Sequence, residues 1–498
     1  MAASLPRLAV VLPLFLACGD DEGAATSATS STGAGATSTS SGGSTEPVTT
    51  DVPTSGATSD ASSGTTVEST STTEPVTGTG SSSDGSSGSS TGGDPAESKI
   101  KHVVVFIMEN HSFDSYFGRY CTAPAGSNPA CTTGPACCEA APDFEPSGSP
   151  PVVLDDALNA GRDPDHTQPC ELAEINGGAM DGFVVGPDCA DPQNFAIADG
   201  PEVAIYHQWA AQYALADRYF QPIVGQSSAN DMYFAVARHQ FTDNEFKPAS
   251  NGKGCIAPLT DTITFQGVQT IGDVLIAGSP TPTLRFGHYA EGYQDMLDSL
   301  LCPLPPADCP AHVPTGPCDY DCSDNPFQYY EQWMDNLSFM HDFARLADDL
   351  DGGTLPAVAF VKPVGYHNEH PGYGTRISDG SSFVKKAVNG ILASPYADDT
   401  LILVTWDEGG GYFDHVSPPP NNPIDDKPYG TRIPLIAIGK FARKNHVSHV
   451  VMEHSSIVKF IELNFTGETG QLGNRDTNVH NIGSLLDPEQ TGIVIPED

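Results

Sequence analysis

Residues Val103–Gly118 read VVVFIMENHSFDSYFG. An apolar run passes without a turn signal into Glu109-Asn110-His111-Ser112-Phe113-Asp114. A strand that only fills a core ends in a turn pair such as Asn-Gly or Pro-Asp. Three similar runs follow: Leu355–Lys362 (LPAVAFVK), Thr400–Trp406 (TLILVTW) and Ile433–Gly439 (IPLIAIG). With Ile100–Met108 (IKHVVVFIM) they lack inside-outside alternation, which is the pattern of parallel strands buried on both faces. Val203–Phe220, Pro326–Leu350 and Ser455–Leu463 space their apolar residues at three- and four-residue steps and read as helices. Strands alternating with helices predict an α/β fold in three layers, a central mainly parallel sheet covered on both faces. Chemistry in such sheets sits beyond the carboxyl ends of the strands, where Glu109 and Asn110 fall.

The run Leu401–Trp406 ends the same way, in Asp407-Glu408-Gly409-Gly410-Gly411. Adjacent carboxylates repel unless a cation lies between them. Alone, this reads more readily as a solvated acidic turn. Together with Glu109-Asn110 it becomes a hard, oxygen-rich ligand set for a divalent cation whose identity the ligands leave open. A third segment, Val224-Gly225-Gln226-Ser227-Ser228-Ala229-Asn230, offers a hydroxyl nucleophile but lacks the G-x-S-x-G hydrolase elbow. By itself it is a Ser-rich loop.

The chain has 498 residues, of which 38% are apolar, with 63 acids against 22 bases and a net charge of −41. That balance argues against nucleic acid and against attraction to anionic membrane surfaces. Met1–Ala17, MAASLPRLAVVLPLFLA, is too short to span a bilayer and reads as an export signal. Ala17 before Cys18 resembles a bacterial lipoprotein cleavage site with Cys18 lipidated; a plain secretory signal cut elsewhere is the alternative. Residues 19–98 are Ser, Thr, Gly, Ala and Pro with scattered acids, a tether with too little apolar surface to offset ordering. The expected organisation is therefore 1–18 signal, 19–98 tether, 99–498 catalytic domain, placed in the cell envelope or outside the cell. Twelve cysteines fit export. Setting Cys18 aside leaves an odd number, so one thiol stays unpaired. Cys137-Cys138 and the group Cys302, Cys309, Cys318 and Cys322 read as disulfide staples of irregular loops; the spacings of the group fit no familiar zinc finger.

In chain order, MENHSFDSYFG (Met108–Gly118), DPDHTQP (Asp163–Pro169) with NGGAMDGFV (Asn176–Val184), ALADRYFQPIVGQSSAND (Ala214–Asp231), DGGTLPAVAFVKP (Asp351–Pro363), NEHPG (Asn368–Gly372), VTWDEGGGYFDHVSPPP (Val404–Pro420), YGTRIPLIAIGKFAR (Tyr429–Arg443) and EHSSIVKFIE (Glu453–Glu462) form one series. It resembles the bacterial phospholipase C and acid phosphatase family, phosphoesterases of the alkaline phosphatase superfamily, over about Lys99 to Asp487. The resemblance implies a divalent metal held by Glu109, Asn110, Ser227, Asp407 and Glu408, with Ser227 as nucleophile. It implies His166, His370 and His454 as motif histidines, some lining a phosphate pocket; Asn230 is expected near substrate, and His415 is expected either to touch substrate or to hold a loop. The implied activity is hydrolysis of phosphate esters through a phosphoserine. The substrate is either a phospholipid head-group diester, as for phospholipase C, or a phosphomonoester, as for acid phosphatase. A surface lipoprotein that keeps the fold without catalysis would be expected to lack one of these residues. Membrane association is expected only through a lipid anchor. Two departures bear on substrate: Gln226, Ala229 and Asp231 stand where the family often has Pro, Pro and a basic residue, and Gly409 where many phospholipase members have His. Asp114 is expected to brace the loop after Glu109-Asn110.

Overall fold

The computed structural model describes residues 97–241, 263–298, 320–321 and 323–497. The signal, the tether, Cys18, Cys255, Cys302, Cys309, Cys318 and Cys322 lie outside these residues, so the readings placed on them lie outside the described structure.

The strands, in chain order, are β1 His102–Met108, β2 Val152–Val153, β3 Ala196–Ile197, β4 Ala214–Ala216, β5 Phe286–Ala290, β6 Met340–Asp342, β7 Val358–Lys362, β8 Thr400–Trp406, β9 Leu435–Ile438 and β10 His446–Ser448. Eight form one sheet in the order β10-β4-β9-β8-β1-β7-β5-β6, and β2 and β3 pair by themselves. β1 lies inside it, parallel to β8 on one side and to β7 on the other. Val103–Met108, Val358–Val361 and all of β8 are fully or almost fully buried, as the unbroken Val/Ile/Leu runs require of strands covered on both faces. The covering helices include Ala204–Gln212, Ser227–Val236, Ile377–Ala393 and His454–Thr466.

Several expectations change. Ile433–Gly439 forms β9, but antiparallel to β8 and β4. The chain reaches it from β8 through the irregular segment 407–434, without the crossover helix that a parallel return needs. The predicted helix Val203–Phe220 stops at Gln212, and Ala214–Ala216 is strand β4. Pro326–Leu350 is not one helix: it holds a single 3₁₀ turn, strand β6 and the helix Ala344–Gly352. Its aromatic spacing mimics helical periodicity because Phe327, Tyr329, Tyr330 and Trp333 pack inward from an irregular chain. The Ser-rich segment is not a loop throughout, because Ser227 is the first residue of a helix.

Cys137 and Cys138 staple irregular segments as expected, in the disulfides Cys131–Cys137 and Cys121–Cys138, and a third disulfide joins Cys170, in the helix Gln168–Ile175, to Cys189. Asp114 braces the loop after β1 through a buried charge network. Arg432, fully buried, donates from Nε to Asp414 (2.8 Å), from Nη2 to Asp114 (3.0 Å) and from Nη1 to the Asp217 carbonyl (3.1 Å), and lies over the Phe113 ring. Removing one partner from such a network leaves buried charge uncompensated. Arg432→Met is expected to lower stability by about 3–5 kcal/mol, read as a lower urea midpoint at unchanged slope. A loss below about 1 kcal/mol would mean that the network does not hold this loop.

Candidate active site

The parallel register of β1 and β8 ends at Met108 opposite Trp406. The next residues on each chain are Glu109-Asn110 and Asp407-Glu408, so the two polar pairs stand side by side at the carboxyl end of the sheet. Asp407 Oδ1 accepts hydrogen bonds from the Asn110 N–H (3.0 Å) and from the Glu408 N–H (2.7 Å). Asn110 has φ of +60°, a left-handed conformation that asparagine tolerates better than most residues. Gly410 is also left-handed, and a Cβ there would stand 2.2 Å from the Asn110 carbonyl oxygen. What its bare backbone admits is the neighbouring strand end, not a ligand.

Ser227 opens the ten-residue helix Ser227–Val236, and its Oγ donates to Asn110 Oδ1 at 3.4 Å. The Asn110 amide nitrogen faces His166 Nε2 (3.3 Å) and His370 Nε2 (3.2 Å). Each histidine bonds a backbone carbonyl through Nδ1, Pro164 for His166 (2.8 Å) and Pro371 for His370 (2.7 Å). A carbonyl only accepts, so Nδ1 carries the proton and Nε2 turns its lone pair to the centre. The Glu408 carboxylate, 3.9 Å from His166, raises the pKa of that histidine against the effect of burial.

Glu109, Asp231, Asp407 and Glu408 are all buried, with Lys362 as the cation among them. Burial drives the Glu109 pKa up to about 7, opposed by Lys362 and reinforced by Asp407. Burial, with Asp407 nearby, lifts Glu408 well above the carboxylate range. Asp231 Oδ1, Asp407 Oδ2 and Glu408 Oε1 have no hydrogen-bond partner, and Glu109 Oε1 has only its ion pair with Lys362. Buried, unsatisfied carboxylate oxygens are costly, and a divalent cation is the ligand that satisfies them. The donor set of Glu109, Asn110, Asp407, Glu408 and the Ser227 hydroxyl therefore fits a hard metal ion. The Asp163, His166 and His370 side chains also approach closely enough to share a cation beside this centre.

The roles expected of His454 and Asn230 change, and His415 takes the loop-holding one of its two alternatives. His454 is fully buried; Nδ1 meets the Tyr219 hydroxyl (2.7 Å), Nε2 meets the Asp407 carbonyl (2.7 Å), and the ring stacks on Phe234. Burial takes its pKa down to about 3. It holds the backbone of Asp407 and is not placed to exchange protons with substrate. Asn230 spends its amide on the turn before Ser227: Oδ1 accepts from the Ile223 N–H, and Nδ2 donates to the Gly225 and Gln226 carbonyls. His415 is held between Asp114 (2.8 Å) and Glu139 (2.9 Å), away from the Ser227 cluster. Asp114, Asp414 and His415 are close enough to hold an ion, but the Arg432 guanidinium already supplies the cation there.

Sequence reasoning missed Lys362, although it is the last residue of a correctly placed strand and the end-of-strand rule applied to Glu109 and Asp407 covers it too. It also missed Glu171, whose carboxylate accepts from the Gly225 N–H (2.5 Å) and Gln221 Nε2 (2.8 Å) and so holds the turn before Ser227. A glutamate in a helical segment carries no local sign of that contact.

A mainly parallel sheet that sets a serine at a helix N-terminus beside Asn110 and the acids buried at two strand ends is an arrangement suited to ester hydrolysis. The chain belongs to the phosphoesterase family, whose pattern matches residues 100–466, and it is a hydrolase acting on phosphoric esters. It is 23% identical over 411 residues to phospholipase C B of Mycobacterium tuberculosis, covering 74% of this chain and 73% of that protein. Non-specific phospholipase C6 of Arabidopsis thaliana is 24% identical over 428 residues, covering 77% and 72%. Non-hemolytic phospholipase C of Pseudomonas aeruginosa is 21% identical over 412 residues, covering 74% of this chain and 54% of that protein. A solved protein of the alkaline phosphatase superfamily from Vibrio parahaemolyticus covers 78% of this chain and 73% of its own at 10% identity and a TM-score of 0.35, too distant to carry an argument.

Proposed function

We propose that this protein is an exported, metal-dependent phosphoesterase of the phospholipase C type, cleaving the phosphodiester of phospholipid head groups with Ser227 as nucleophile. The observation that carries this is the Ser227 Oγ at a helix N-terminus, 3.4 Å from Asn110 Oδ1 and beside buried carboxylates with unsatisfied oxygens. The Gln226 side chain does not cap this helix, so its first N–H groups and dipole favour a phosphoryl oxygen there. A divalent cation held by Glu109, Asn110, Asp407 and Glu408 would lower the pKa of the serine hydroxyl and offset charge on the phosphoryl group.

The chain's own groups then have distinct tasks. Ser227 Oγ attacks phosphorus, and the bond to the departing alcohol oxygen breaks. The serine is left esterified to the head-group phosphate, and water cleaves that bond to restore the hydroxyl. His166 and His370 present Nε2 toward the same centre, where an imidazole can take the proton of the attacking serine hydroxyl and pass it to the departing oxygen. The three disulfides among the described residues are compatible with the oxidising compartment that export would reach. No described helix is long and apolar enough to cross a membrane, and anchoring is assigned to Cys18 alone.

The deciding experiment compares p-nitrophenyl phosphorylcholine with p-nitrophenyl phosphate before and after chelation. Preference for the choline diester, lost with chelator and restored by metal, is the expected result. Cleavage of the monoester alone would make the protein an acid phosphatase. Equal rates with and without chelator would overturn the metal dependence.

A further inference from the structure

Lys362 ends β7, the neighbour of β1 on the side away from β8. Its Nζ stands 2.9 Å from Glu109 Oε1, 3.3 Å from Asp231 Oδ2 and 3.7 Å from Asp407 Oδ2. It is held by Asp231 and by its ion pair with Glu109, while the facing Asp407 Oδ2 receives no hydrogen bond. The side chain is only 4% exposed, so solvent screens these charges little. A buried ammonium is costly unless it is matched by charge. Here it is matched by the same two carboxylates that the metal reading assigns to the divalent ion. Asp231 lies one helical turn after Ser227, so the Lys362–Asp231 pair also ties β7 to the helix of the nucleophile.

We infer that Lys362 is a resident cation of the metal centre: its fixed charge competes with the divalent ion for Glu109 and Asp407, and Asp231 draws it off them. The centre then holds a single divalent ion, less tightly than its number of acids alone would dictate. This inference rests on the metal reading above and adds a regulator of affinity built into the chain.

Two neutral substitutions should act in opposite directions. Lys362→Gln removes the competing charge. Manganese(II), titrated calorimetrically into chelator-stripped protein, is expected to bind roughly tenfold more tightly or more, and the bound metal per chain, by elemental analysis, to rise above that of the parent. Asp231→Asn lets the ammonium settle on Glu109 and Asp407, and binding should weaken roughly tenfold. The double variant should bind like Lys362→Gln, because Asp231 acts through the ammonium that is no longer there, and this departure from additivity is the mark of coupled neighbours. Thermal unfolding shows which variants are folded. If Lys362→Gln does not fold, Asp231→Asn decides alone: weaker binding supports the inference, and unchanged or tighter binding overturns it. Folded variants whose affinities stay at the parent value, or shift in the same direction, also overturn it. A parent protein that binds no metal would sink the metal reading instead.

Discussion

Ser227→Ala is expected to leave a folded protein whose turnover of a phosphate ester falls by about four to six orders of magnitude. The hydroxyl is the attacking group, and no other side chain of the helix N-terminus contacts Asn110 Oδ1. The structural cost is small, because the 3.4 Å bond from Oγ is long and its loss costs less than about 1 kcal/mol. Stability should therefore stay close to that of the parent while catalysis collapses, a separation that a misfolded variant does not show. Inorganic phosphate should still inhibit or bind, since the other polar groups remain. Acid quenching of the parent during turnover should leave a phosphoryl increment on the peptide holding Ser227, absent from the variant. Near-normal turnover by Ser227→Ala would move the nucleophile to Ser228, which is equally buried at the same helix start.

Asp407→Asn is expected to lose both bound metal and activity while keeping the shape of the strand end. Its Oδ1 holds the Asn110 and Glu408 N–H groups, and an asparagine oxygen can keep both bonds. The substituted amide then points where Oδ2 stood, toward Lys362 Nζ and the proposed metal position. An amide NH₂ is a donor, cannot ligate a cation and carries no charge. Metal affinity should fall by at least about a hundredfold, since several kcal/mol of charge interaction is removed in a buried site. Elemental analysis after dialysis measures this independently of activity. A variant that retains parental metal content would remove Asp407 from the ligand set and shift the site toward Asp163, His166 and His370.

The apolar runs were legible because two-sided burial demands continuous β-branched and aliphatic residues, and β1, β7 and β8 coincide with the runs read from sequence. β9 was legible as a strand but not in direction, because direction depends on what connects it, and the path from β8 carries no local pattern. β4 and β6 are three residues each, too short for any period to show. β5 was missed because Gly287 and His288 interrupt its apolar run, although all five of its residues are buried.

Of the site, the sequence by itself determined the parts: a strand ending in Glu109-Asn110, another ending in Asp407-Glu408, and a serine in a turn between helix and strand signals. The family resemblance named their roles. Only the tertiary structure decided who faces whom. The Asn110 N–H reaches Asp407 across 297 positions of sequence. His454 is turned inward to a backbone carbonyl, Asn230 closes its own turn, and His415 pairs with Asp114 and Glu139. Lys362 emerges as the cation of the centre. The division has one physical cause: burial pattern is written in neighbouring residues. The partner of a buried charge is chosen by strand register and crossover, which bring together atoms that the chain itself keeps far apart.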